Sequence, residues 1–169
     1  MYLRVGNIIN SACEKLQGTI YRTLTPHQRA FYLANLLVDS DDLTFRVEPW
    51  SPDQLPHQKL YGCEVFGPCA DPSRYRARGW ARLVGSRNYA LFGAYVKVDL
   101  VALPELVESE ALCAKSWDWL WRLRQGERLA ELALTTPELA FGELVGWPNE
   151  IEKRLRYYES CITFLGVTV

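Results

Sequence analysis

Residues Asp71–Leu100 read DPSRYRARGWARLVGSRNYALFGAYVKVDL, and the period of this stretch sets the predicted fold class. From Ala90 to Leu100 every even position is apolar: Ala90, Phe92, Ala94, Val96, Val98 and Leu100. Side chains on a strand point to alternate faces, so this period-two pattern predicts a long β-strand. In the preceding segment Tyr75, Ala77, Ala81 and Leu83 form a matching apolar set on odd positions. A turn at Ser86-Arg87 would pair Ala77 with Val96 and Ala81 with Phe92, and set Trp80 over Gly93. A slip of one residue would mix the two faces, so the pattern predicts a hairpin of one register.

The other face of that hairpin gathers Arg74, Arg76, Arg78, Arg82 and Lys97 with Trp80, Tyr89 and Tyr95. Basic groups beside flat rings on a sheet are how single-stranded nucleic acid is held, with charge on phosphates and rings against bases. Arg76, Arg78, Trp80, Arg82, Tyr95 and Lys97 are therefore the candidate nucleic-acid or anion-binding residues. The competing reading is a solvated face, with arginine stems covering apolar surface and acidic groups elsewhere answering the charge. Residues 70–100 hold six Arg or Lys against two Asp, and residues 101–169 hold seven against eleven acidic side chains. The formal net charge is −1, which does not mark a general nucleic-acid binder.

Helices are predicted on either side. Thr25, Pro26 and Gln28 make a capping box with a proline start, and Phe31, Leu33, Ala34, Leu37 and Val38 follow at helical spacing. This predicts a helix over 26–39, preceded by another that carries Val5, Ile8, Ile9, Ala12, Cys13 and Leu16. Further helices are expected from about Leu106 to Gly126, over 127–134, from Pro137 to Val145 and over 150–160. Short strands are expected at Leu43–Pro49 and near Leu60–Gly67, and "CITFLGVTV" at the end reads as a buried strand. The sum is an α+β fold: a mostly antiparallel sheet of about five strands, with a long central hairpin and helices on one face. Its 169 residues read as a single globular domain.

Five scattered cysteines in a chain that is 49% hydrophobic need no disulfide staples, which points to a reducing, cytoplasmic compartment. The N-terminus shows no secretory pattern, and no apolar run is long enough to span a bilayer, so no membrane partner is expected. No metal or cofactor is predicted. His57, Cys63 and Cys69 are too widely spaced for a zinc site. A thiol–imidazole pair of Cys69 with His57 is conceivable chemistry. "DSDD" at Asp39–Asp42 lacks the glycine and glutamate of a calcium loop and reads as a polar helix exit. No phosphate loop, dinucleotide fingerprint or nucleophile elbow is present. Trp117 and Trp121 share a helix face, whereas Trp119, with Arg122 nearby, points elsewhere as a candidate protein interface. "EIEKRLRYYES" reads as a solvated helix with charge pairs such as Glu150–Arg154.

The sequence thus points first to a small non-catalytic binding or accessory protein that meets a protein partner. The alternatives are a nucleic-acid-binding accessory protein using the arginine/aromatic face, and a small enzyme built around His57 and Cys69. It does not set the oligomeric state.

Overall fold

A computed structural model describes residues 2–49, 51, 71, 73–145 and 150–167. Among these residues the chain is helical, and β structure is limited to the isolated bridges Val47–Arg78 and Arg78–Leu83. The helices are α1 (Tyr2–Lys15), α2 (Pro26–Asp39), α3 (Ser86–Val96), α4 (Glu110–Leu123), α5 (Gly126–Leu132), α6 (Pro137–Val145) and α7 (Ile151–Leu165). Short 3-10 turns lie at Ile20–Thr23 and Pro104–Glu108. The described residues fall into two compact units, Met1–Leu43 with Leu120–Val169, and Thr44–Trp119.

The first unit is organised on α2. Its start follows the predicted capping box: the Gln28 amide donates to Thr25 Oγ1 at 3.3 Å, and the Thr25 amide donates to Gln28 Oε1 at 3.0 Å. Two orphan donors of the first turn are thereby satisfied. Every residue from Ala30 to Val38 is buried, so α2 is covered on all sides, as only a central helix can be. It packs most extensively against α7. The Phe31 ring stacks on Phe141 at 5.2 Å, and Tyr158 meets both rings edge-on. Tyr32 and Phe31 also lean on Trp121. Such offset and edge-to-face contacts are the favoured aromatic geometries.

The second unit holds a smaller core of Tyr75, Leu83, Tyr89, Phe92, Leu100 and Val107. Here the predicted α+β fold and its central hairpin are overturned, because Ser86–Val96 is a helix. The period-two alternation of Ala90, Phe92, Ala94 and Val96 coexists with a helical set. Tyr89, Phe92 and Gly93, at i, i+3 and i+4, are the buried residues, while Ala90 and Ala94 are exposed. Alanines, neutral between the two readings, completed the strand pattern by accident. Gly85 (φ 84°) opens the helix and Lys97 (φ 60°) closes it in the left-handed region. What precedes it is a tight loop, in which Arg78 and Leu83 exchange backbone hydrogen bonds of 3.0 and 2.8 Å. Gly79, at φ 69°, sits inside that loop, and a Cβ there would stand 2.9 Å from Ser116 Oγ and from Val107 Cγ1.

Two smaller expectations are corrected. Leu43–Pro49 contributes the single bridge at Val47 and no strand. The expected final strand is the last part of α7, which runs to Leu165 and ends at Gly166 (φ 63°). Arg154, Tyr158 and Cys161 carry one buried stripe through the whole helix at i, i+4 and i+7. The expected strand near Leu60–Gly67 lies outside the described residues. No helix among the described residues is long and apolar enough to cross a membrane.

Candidate functional site

The densest polar constellation of the first unit lies where α2 ends. Arg154 is 2% exposed, and its guanidinium forks onto Asp39: Nη2 donates to Oδ1 at 2.6 Å and Nη1 to Oδ2 at 3.3 Å. Nη1 also donates to Asn35 Oδ1 at 3.1 Å, and the Asn35 amide donates back to the Phe31 carbonyl at 2.8 Å. A buried guanidinium is tolerated when its donors are taken up in this way, and the two-pronged pairing fixes the carboxylate in orientation as well as charge. The Asp39 side chain keeps 17% of its surface accessible. It is thus a carboxylate held by a buried guanidinium and in part accessible.

The chain leaves α2 in an uncommon way. Asp41, Asp42 and Leu43 follow in succession with φ of 48°, 55° and 68°. Left-handed backbone costs about 1 kcal/mol or more per residue without glycine, and aspartate tolerates it better than leucine does. The turn is held by what it satisfies. The amides of Ser40, Asp41 and Asp42 donate to the carbonyls of Leu36, Val38 and Leu37, and the Leu43 amide donates to Ser40 Oγ at 2.9 Å. From α7, Tyr157 donates its hydroxyl to Asp42 Oδ1 at 2.5 Å. Burial first, and the Asp42 carboxylate next, hold the Tyr157 phenol well above its usual range, so it remains a donor.

A second polar contact joins the same helices near the start of α2. His27 Nε2 and the Tyr158 hydroxyl are 2.5 Å apart. Burial lowers the His27 pKa, with Glu131 opposing. A neutral imidazole accepts the phenolic hydrogen; a protonated one cannot.

The sequence-predicted site residues lie elsewhere, all but Arg122 in the second unit, and are not brought together as one wet face. Arg78 is 4% exposed and pairs with Glu108 at 2.8 Å, Tyr89 Oη at 3.0 Å and the Arg74 carbonyl at 2.8 Å. Burial pushes the Tyr89 phenol up to about 12 against the pull of Arg78. Trp80 is fully buried, with Arg46 over its ring. Arg76 is half-buried and donates to the Ser73 carbonyl. Arg82 is exposed and lies over Phe45, 4.3 Å from the ring centroid to its Cζ. Tyr95 and Lys97 are exposed, and Lys97 lines a groove of about 410 Å³ with Ala90, Gly93 and Ala94. Trp119, the candidate interface anchor, packs on Phe92 inside the unit, and Arg122 is exposed on α4. His57, Cys63 and Cys69 lie outside the described residues.

Asp39, Asp42, Arg154 and Tyr157 were not among the predicted site residues. The sequence carried one faint signal: Arg154 occupies the buried stripe of α7, four residues before Tyr158 and seven before Cys161. An arginine on an apolar stripe asks for a buried carboxylate. The expected Glu150–Arg154 pair is replaced by Glu150–Lys153 at 3.5 Å, which frees Arg154 to turn inward.

No protein-family model matches the sequence. A curated relative, the basic endochitinase B of Arabidopsis thaliana, is 41% identical over 59 residues, 34% of this chain. The chain spans only 18% of the length of that relative. Solved structures match more of it. A chitinase C mutant aligns with a TM-score of 0.67 and 20% identity over 96% of this chain and 84% of that one. The family GH19, class IV chitinase from Zea mays aligns with a TM-score of 0.66 and 20% identity over 96% and 81%. Chitinase C from Streptomyces griseus gives 0.61 and 22% over 95% and 82%. At these identities the likeness is one of fold, a helical fold shared with chitinases. It overturns the expectation of a non-catalytic binding or accessory protein, together with its expected protein partner and its nucleic-acid alternative, since every protein named in these matches is a chitinase.

Proposed function

We propose that the chain is a glycoside hydrolase acting on chitin or on oligosaccharides derived from it, with Asp39 as a working carboxylate. The observation that carries this reading is Asp39 itself: held by Arg154, in part accessible, and set in a fold shared with chitinases. Hydrolysis of a glycosidic bond runs on carboxyl groups that move a proton to or from the reacting oxygens and steady the charge that develops on the sugar. A carboxylate whose position is fixed by a buried guanidinium meets the geometric demand of such a step. Of the sequence-predicted set, the exposed Arg82, Tyr95 and Lys97 are the members we retain for ligand contact, where a ring or a cation would meet a sugar. The reducing, cytoplasmic compartment read from the five scattered cysteines of the sequence stays part of this proposal.

The test is turnover of chitohexaose and colloidal chitin by the purified chain, followed by chromatography of the released oligosaccharides. Wild type should release shorter oligomers, and Asp39→Asn should lower kcat by about a hundredfold or more while leaving the far-ultraviolet helical signal intact. A folded wild-type protein that releases nothing from either substrate, or an Asp39→Asn variant at full rate, would sink the assignment.

A further inference from the structure

Arg154 and Tyr157 stand at i and i+3 on α7, so they are neighbours on one helix face. Each reaches across 115 residues of sequence to the end of α2, Arg154 to Asp39 and Tyr157 to Asp42. Between those two contacts lie Ser40 and Asp41, and the left-handed run Asp41, Asp42 and Leu43 passes through the second of them. A segment in that conformation persists only where its surroundings over-determine it. Inside the turn, Ser40 Oγ accepts from the Leu43 amide. From α7 the clamp is the Tyr157 hydroxyl, the shortest of the hydrogen bonds that join α7 to this exit. Leu43 cannot offset its own strain, because it has no polar side chain with which to bond locally.

We propose that Tyr157 is a positioning residue for Asp39: by donating to Asp42 it locks the left-handed exit of α2 and so keeps the Asp39 carboxylate seated on Arg154. The proposal rests on the reading of Asp39 as the working carboxylate. Without the Tyr157 bond the exit relaxes toward ordinary backbone angles, the last turn of α2 frays, and Asp39 gains rotamer freedom. The consequence for chemistry is a slower step at unchanged substrate binding, because the carboxylate spends less time in its productive place.

The experiment uses the full chain and three substitutions. Tyr157→Phe removes the hydroxyl and little else. Asp42→Ala removes the acceptor together with tolerance of the left-handed angle. Asp42→Asn keeps both, since asparagine visits that region readily and its amide oxygen still accepts. Two readouts are taken: kcat and KM on chitohexaose, and nuclear magnetic resonance of the Arg154 guanidinium with amide exchange at Asp41, Asp42 and Leu43. Tyr157→Phe should lower kcat about tenfold with KM held within about twofold. Its Arg154 signals should shift, and the three amides should exchange about tenfold faster. Asp42→Ala should behave alike and Asp42→Asn like wild type. Unchanged Arg154 signals and exchange in Tyr157→Phe overturn the proposal, as does a lowered Tm with kcat unaffected. If wild type proves inactive on chitin, the functional reading falls, and the resonance and exchange data still decide whether Tyr157 seats Asp39.

Discussion

Gly126 lies directly against the indole of Trp121, so closely that a Cβ would stand 2.0 Å from Cδ2 and 2.3 Å from Cε2. Trp121 is fully buried and is wedged between Phe31 and Tyr32, so it has no room to retreat. Overpacking of this kind costs about 1–3 kcal/mol or more. Gly126→Ala should therefore lower the urea midpoint clearly. Gly142 supplies the control: it lies inside α6 with nothing within 4 Å of an added Cβ. Gly142→Ala should raise stability by roughly 0.5–1 kcal/mol through helix propensity. Equal effects of the two substitutions would contradict the packing described for Trp121.

The His27–Tyr158 contact makes stability depend on pH. The folded pKa of His27 lies below the ordinary value of 6.5, chiefly through burial. The unfolded chain therefore takes up a proton first as pH falls. The contribution is fully present above about 6.5 and is lost as pH drops through the lower folded value. Urea unfolding of wild type should accordingly weaken between pH 7.5 and pH 5, and His27→Gln should weaken less. Parallel losses in the two proteins would place the proton uptake on other groups.

Glu108 is expected to matter through the group it leaves behind. Arg78 is 5% exposed by its side chain, while Glu108 is 34% exposed. Glu108→Ala strips the carboxylate from a buried guanidinium that retains Tyr89 and the Arg74 carbonyl. A loss of about 2 kcal/mol is expected, discounted from a fully buried pair because the carboxylate is partly solvated. Chemical denaturation checks it, and Glu108→Gln, which still accepts a hydrogen bond, should lose less.

The elements legible in the sequence were those specified by neighbours along the chain. Thr25, Pro26 and Gln28 announce α2 because capping is local chemistry, and Pro137 announces α6 in the same manner. The stretch from Ala90 to Leu100 misled because alanines satisfy an apolar alternation without choosing a period. What chose was burial of Tyr89 and Phe92, and that depends on Leu100 and Val107 being near. The strand expected after Ser160 failed for a related reason: the buried helical stripe set by Arg154, Tyr158 and Cys161 outweighs the strand preference of residues such as Ile162 and Phe164. The candidate site was less legible still. Nothing in DSDD says that an arginine 115 residues away will claim Asp39, and a solvated exit was the natural reading of four polar residues.

α2 meets α7 near both of its ends: His27 touches Tyr158, and Asp39 touches Arg154, only four residues earlier on α7. The two contact points on α2 are about 18 Å apart at an ordinary helical rise, and those on α7 about 6 Å. Side-chain reach bridges these unequal spans, and the two contacts together fix which face of α2 each end presents to α7. Inserting or deleting a single residue there would rotate one end by about 100° relative to the other, so that one of the two contacts must be lost. Side chains along α2 can be exchanged one at a time, but its length is not free to drift.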